Sequence, residues 1–462
     1  MNRTVLLLLA CLLIPVSLAA QEGSAVQQSR DVLLFGIDSE VMDLLGRLED
    51  QGEDRLDSEI LSRLEESRNR SLQGRILEHF EKRNVGIAGP AVSAIIIEDD
   101  GLGADFLRVA VRYLSLIADL HLPELLTRYE EIARDDDPIA ASVAIGAIGK
   151  DGSAGAVELL MELFEELRSG DLKGAVIRAL GDAGAVEAVD LLANIVTDPF
   201  EDSSLRQYGA ESLGKIGAPE SLQSLISVLD DANSLLRAYV VAALGNYDDP
   251  IATRALDEGL RDSFWRVRVA ALQGIATRGI TGSLPAIEYK ARRDPEAPVR
   301  QQAIRTLAAL DSGDAYETLR TIASDPRAPQ ADRMLSIDLL VRDDLPATLE
   351  TITSVIDSEW SVENSRLLDA TARALVQTDS QLLADTYERL LSHPNYIIRV
   401  YAIRGVGKSG FAQFGDEIRR IAEENPTGIL HSNAISTLEE LGIPIPEEGE
   451  ADDPAVPQTE AE

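Results

Sequence analysis

The sequence predicts an all-α protein built as an α-solenoid, a superhelix of stacked antiparallel helical hairpins. Three observations carry this expectation. Basic residues recur with a period near 32: Lys173, Arg206, Arg237, Arg268, Arg300, Arg333 and Arg399 are separated by 33, 31, 31, 32, 33 and 66, the last spacing being two periods of 33. Glycine pairs recur at one phase of that period, at Gly149/Gly152, Gly181/Gly184, Gly214/Gly217 and Gly407/Gly410. Finally, the chain has 462 residues, 45% hydrophobic but only 4% aromatic. That length exceeds what one compact core sustains, while small aliphatic residues suit close helix packing.

The chain begins with an expected address. Met1 to Arg3 is a basic start, Thr4 to Leu13 is apolar, and Ser17-Leu18-Ala19-Ala20 supplies small residues before a polar stretch. This reads as a signal peptide over residues 1–20, cleaved near Ala20/Gln21, and the apolar run is too short for a membrane span. It directs the protein across the inner membrane to the periplasm or cell envelope. Leu8-Leu9-Ala10-Cys11 supports a second reading, a lipoprotein box with a lipid anchor at Cys11, although the sequence stays apolar beyond it. Cys11 is the one cysteine, so the body forms neither disulfides nor thiolate metal sites.

Residues 21–103 are expected to form a degenerate helical N-terminal capping region, with apolar clusters at Val41–Leu45, Ile60–Leu64 and Val92–Ile97. The repeat array is placed at residues 104–442. Ala141 and Arg108 extend the anchor series backward. Three residues after the anchors stand small or β-branched residues such as Gly209, Val240 and Ala271; seven after them stand Leu213, Leu244 and Ile275. Spacings of three, four and seven make one helical stripe.

Each period is expected to hold two helices. The first begins at Asp137-Pro138, Asp198-Pro199, Asp294-Pro295 or Asp325-Pro326, with His393-Pro394 as a variant. There Asp caps free N–H groups, and Pro at the first helical position wastes no donor. The glycine pairs end it. The second helix follows with stripes such as Ala156, Leu159, Leu160 and Leu163. So short a hairpin completes its core only by stacking on neighbours. Beyond Gly442, residues 443–462 carry four prolines, seven acids and no basic residue, and are expected to be a disordered acidic tail.

The block Leu205-Arg206-Gln207-Tyr208-Gly209-Ala210-Glu211-Ser212-Leu213-Gly214-Lys215-Ile216-Gly217 resembles the short bacterial HEAT repeat, also called the phycobilisome-lyase-type HEAT-like repeat. Val267-Arg268, Val299-Arg300 and Ile398-Arg399 repeat its opening. The Thr-Pro-Leu-His signature of ankyrin repeats and the Trp, Gly and Tyr positions of tetratricopeptide repeats are missing. The resemblance implies an α-solenoid. For function it implies little, because this repeat is a scaffold in unrelated proteins.

The formal charge of −36 argues against a nucleic-acid partner. The four histidines, His79, His121, His393 and His431, form no i, i+4 pair and no His-Glu pair, so the iron site of the HEAT-like deoxyhypusine hydroxylases does not carry over. No catalytic residue, cofactor or metal ligand is assigned. The glycine pairs lack the Lys-Ser/Thr of a phosphate loop and read as helix terminators. The recurring Arg206, Arg237, Arg268, Arg300, Arg333 and Arg399 read as a structural ladder with neighbouring acids, with a binding groove as the other reading.

Residues that depart from the repeat are the candidates for partner binding. Phe264 and Trp265 form an aromatic pair at a helix start expected to be exposed, and Trp360 is a similar case. Packing against the adjacent turn is the competing reading for all three. Arg261, Arg266, Arg278, Lys290, Arg292 and Arg293 make residues 261–293 the least acidic stretch of the body, either a site for an acidic partner or a solvated face. The expected function is a non-catalytic, protein-binding scaffold of the bacterial envelope with an unidentified protein partner. The alternatives are a lyase-like enzyme, as the bilin-lyase resemblance implies, and an assembly factor for envelope proteins.

Overall fold

A computed structural model describes residues 25–51, 54–116 and 122–445. The expected signal peptide, Cys11, His121 and residues 446–462 of the expected tail lie outside the described residues. Among the described residues every regular element is a helix, and no helix is long and apolar enough to cross a membrane. The architecture is an α-solenoid. The chain divides into two compact units, Met1–Ala243 and Leu244–Glu462.

In the first unit the first helices of successive repeats stack in order: Asp38–Gln51 on Arg70–Lys82, then Ala104–Leu114, Pro138–Asp151, Gly170–Asp182 and Ser203–Ile216. The second helices, such as Pro123–Ala133 and Val189–Thr197, pack on the first helix of the next repeat. Stacking therefore starts at Asp38, well before the periodic signature becomes legible near residue 104. The second unit repeats the scheme with Trp265–Arg278, Ala297–Ala309, Gln330–Asp343, Arg366–Val376, Tyr396–Lys408 and Ile429–Glu440.

Two expectations about the turns need correction. Asp137 does cap the helix Pro138–Asp151, accepting from the amides of Ile139 and Ala140 at 2.9 and 3.2 Å. Asp198, Asp294 and Asp325 instead sit at the C-terminal ends of second helices, and the following Pro prevents those helices from continuing. Their carboxylates accept the N–H two residues on, from Phe200, Glu296 and Arg327 at 2.9, 3.1 and 2.9 Å. These are Asx turns, and the helix caps lie further along, at Asp202 or Asn395 for example.

The glycine pairs also divide their work. Gly152 ends its helix in the left-handed conformation with φ of 62°, the expected role. Gly149 is not a terminator. A Cβ there would lie 2.7 Å from the Cα of Ala179, so this glycine lets two stacked helices approach closely.

Candidate partner-binding sites

The anchor residues point inward and across. Arg206 is 6% exposed; its Nε donates to the carbonyl of Val196 at 3.0 Å and its Nη2 to Asp231 at 2.7 Å. The carbonyl of the same Asp231 accepts from Arg237 Nη1 at 2.8 Å. In the second unit Arg268 chelates Asp294, and Arg300 reaches the Asp294 carbonyl at 3.0 Å and the Asp332 carboxylate at 2.6 Å. Arg333 donates to the Ala323 carbonyl at 3.0 Å and stands 3.6 Å from Glu359. The turn aspartates Asp231 and Asp294 thus serve two repeats at once, accepting from one arginine through the carboxylate and from the next through the backbone carbonyl.

This arrangement holds the Asp294 carboxyl below the usual carboxylate range. Burial alone would raise it, but the hydrogen bonds from Arg268, the Glu296 amide and Lys290 outweigh that. Side chains so engaged are unavailable to a ligand.

Two anchor positions of the second unit differ. The spacing of 66 between Arg333 and Arg399 is not two equal periods. Buried residues Leu367, Leu368, Thr371, Ala372 and Leu375 match the pattern Leu205, Arg206, Gly209, Ala210 and Leu213, so Leu368 is the anchor, 35 residues after Arg333 and 31 before Arg399. In the last repeat His431 holds the anchor position. Its Nδ1 lies 3.1 Å from the Ala422 carbonyl, as Arg206 lies on Val196.

Leu368 lies in a cleft where several departures from the repeat coincide. The connection 360–365 has no Asx turn of the usual kind, and Asn364 takes a left-handed φ of 53°. Trp360 opens that connection. On the other side His393 replaces the turn aspartate: its Nδ1 accepts from the Asn395 amide at 3.0 Å, so the proton sits on Nε2, which reaches the Trp360 carbonyl at 3.2 Å. The two rings meet edge to face at 4.6 Å, and the Arg389 guanidinium stands 4.7 Å from the Trp360 ring. Arg389 is itself paired with Asp357.

Between these walls opens a cleft of about 570 Å³ lined by Trp360, Val362, Leu368, Tyr396 and Ile397, with Asn364 and Glu363 among its polar groups. Val362 and Tyr396 are 49% and 52% exposed. An open apolar cleft with a few polar groups can take a side chain or short segment of another protein. Trp360 was visible in the sequence as a departure from the repeat. Its companions were not, since Val362, Tyr396 and Ile397 look like ordinary helix-flanking residues. The missing arginine at position 368 was the available signal.

The other candidates are less assembled. Phe264 and Trp265 are half-buried rather than exposed. Phe264 occupies the cap position of its helix with its amide held by Asp262 at 2.7 Å, and the two rings lie 6.2 Å apart at 50°. Within residues 261–293, Arg278 pairs with Asp248, Lys290 with Asp294, and Arg292 donates to Thr318. His79 is fully buried beside Glu49 and Arg83. Among the described residues no three His, Cys, Asp or Glu side chains are grouped to hold a metal ion.

A family profile described as "Spirochaete HEAT repeat protein" matches residues 33–437. Comparison with curated proteins gives no match. Among solved structures, the complex of CpcE and CpcF of phycocyanin lyase from Nostoc shares 20% identity over 50% of this chain and 94% of that one, with a TM-score of 0.33. The karyopherin Kap121p bound to the SUMO protease Ulp1p shares 13% identity over 90% of this chain and 51% of that one, with a TM-score of 0.44, so the chain spans about half of that protein. Human deoxyhypusine hydroxylase in complex with glycerol shares 16% identity over 62% of this chain and 96% of that one, with a TM-score of 0.27.

Proposed function

The chain belongs to the spirochaete HEAT repeat protein family, and from that premise we propose that it is a non-catalytic scaffold of the bacterial envelope that binds protein partners. The observation that carries the proposal is the coincidence at one cleft of Trp360, Leu368 and His393. Each stands where the repeat would put a different residue; Leu368 and His393 are themselves buried, and the apolar area left exposed in the cleft is on Val362 and Tyr396. Repeat proteins keep their stacking positions for stability, so a joint departure beside exposed apolar area favours binding over packing.

The envelope address rests on the leader-like residues 1–20. Fractionation of cells should place the protein outside the cytoplasm, and mass spectrometry of its N-terminus should show Gln21 or, for the lipid-anchored form, a modified Cys11.

Binding at the cleft is tested by a photo-crosslinking residue at position 396 in cells. A discrete protein adduct that disappears with Val362→Asp is expected. No adduct at this position, together with a stoichiometric metal or visible chromophore in the purified protein, would favour an enzyme instead.

A further inference from the structure

The first unit carries a second groove whose chemistry is different. On the helix Ala154–Glu166 the residues Ala154, Val157, Glu158, Met161, Glu162 and Glu165 follow spacings of three and four, so they share one face. Glu187 and Leu191 of the adjoining segment form the opposite wall, and the groove between has a volume of about 470 Å³. From Ala154 to Glu165 it runs roughly 16 Å at 1.5 Å per residue.

Its floor is apolar. Val157 is buried and Met161 and Leu191 are half-buried. Its rim is acidic on both sides: Glu158, Glu162 and Glu165 on one helix and Glu187 across from them, all exposed. None of these four carboxylates has an ion pair or hydrogen bond among the described residues. Their neighbour Glu166, which lies outside the groove, is paired with Arg134 at 2.9 Å. The nearby Lys173 is turned over the Phe164 ring at 4.5 Å. Like charges at i, i+3 and i, i+4 repel, so the helix retains a cost that an arriving cation removes.

We propose that this groove docks a basic amphipathic segment of a partner protein, its apolar side on Met161 and its Lys or Arg residues against the four glutamates. This rests on the protein-binding reading above and names the chemistry of a partner for a separate surface. Charge selects the occupant. A second copy of this chain would bring another −36 charges to an acidic rim, and an anionic bilayer would be repelled likewise. A helix laid in a groove supplies apolar anchors one turn apart, and the flexible thioether of Met161 adapts to their shape.

The four methionines of the sequence, Met1, Met42, Met161 and Met334, make the test direct. The full-length protein is labelled with 13C in its methionine methyl groups and titrated with a 14-residue helical Leu/Lys peptide, with a Leu/Glu peptide of the same pattern as control. The Met161 signal should shift and saturate with the basic peptide alone, while those of Met42 and Met334 stay in place. Replacing Glu158 and Glu162 by Gln should weaken binding roughly fivefold, the worth of two exposed charge contacts. An unmoved Met161 signal, equal shifts at all three methionines, or an equal response to the acidic peptide would overturn the proposal. So would a Met161 shift on raising protein concentration alone, which would mark a second copy. Such a failure would leave crosslinking at position 396 intact, whereas loss of that crosslinking would leave this titration unaffected.

Discussion

Arg268 grips Asp294 with two parallel hydrogen bonds, 2.9 Å from Nε to Oδ2 and 2.7 Å from Nη2 to Oδ1, while its Nη1 reaches the Asp262 carbonyl at 2.9 Å. One guanidinium thereby ties the turn before its own helix to the turn before the next. The fork geometry matters, because a lysine at 268 could satisfy one of these acceptors but not all three.

Asp294→Ala should therefore be among the most damaging single substitutions in the second unit. It leaves Arg268 and Lys290 without their buried carboxylate, and breaking such a pair costs about 3–5 kcal/mol. Urea unfolding followed by hydrogen exchange should locate the loss in Trp265–Arg278 and Ala297–Ala309. An unchanged midpoint would show that the ladder contributes nothing.

The two glycines of one pair should respond differently to the same change. Gly149→Ala places a methyl 2.7 Å from the Ala179 backbone, which overpacking puts at about 1–3 kcal/mol. Gly152→Ala makes only ordinary van der Waals contacts, the nearest at 3.8 Å to the Ala183 carbonyl oxygen, and carries only the left-handed strain of about 1–2 kcal/mol. Restacking is the distinguishing effect: Gly149→Ala should also raise exchange in Gly170–Asp182, whereas Gly152→Ala should leave that helix protected.

Acid should loosen the N-terminal hairpins first. Burial would raise the Glu49 carboxyl, but hydrogen bonds from Arg75 and Lys82, at 2.6 and 2.8 Å, hold it down to about 2. The unfolded carboxylate takes up its proton near 4.5, so stability is lost as the pH falls from about 4.5 toward 2. Burial and then Arg83 lower the His79 imidazole, so its unfolded form protonates first and stability declines as the pH falls below about 6.5. Glu49→Gln should flatten the lower limb of the pH profile and deepen the upper one, because Glu49, 3.5 Å from the His79 ring, partly offsets the lowering of that imidazole. A profile unchanged below pH 4.5 in this variant would refute the assignment.

Why some of this was legible in the sequence and some was not follows from what each residue does. The anchors and the buried stripe were legible, because stacking demands the same side chain at the same phase in every repeat. Asp198 and Asp294 misled, because Asp before Pro is equally consistent with opening a helix and with an Asx turn closing the previous one. Leu368 was hidden because a longer spacing and a shorter one sum to two full periods. The groove at Met161 was hidden for another reason. Glutamates three and four apart on a helix resemble any solvated face until the neighbouring helix supplies Glu187 and Leu191.

The irregular end of the ladder offers a gain of stability. Arg399 Nε is buried without a hydrogen-bond partner. Twenty-six residues after Arg268 stands Asp294, but twenty-six after Arg399 stands Asn425, whose Nδ2 is spent on the Ile421 carbonyl at 2.8 Å. Asn425→Asp supplies the charged acceptor that Arg206 finds in Asp231 and Arg268 in Asp294. It should raise the stability of the C-terminal hairpins by about 1 kcal/mol, in line with other charge optimisations of this kind. The gain should vanish in an Arg399→Met background, because a double-mutant cycle isolates the pair. A gain that survives Arg399→Met would place its origin elsewhere, in the turn itself and not in the ladder.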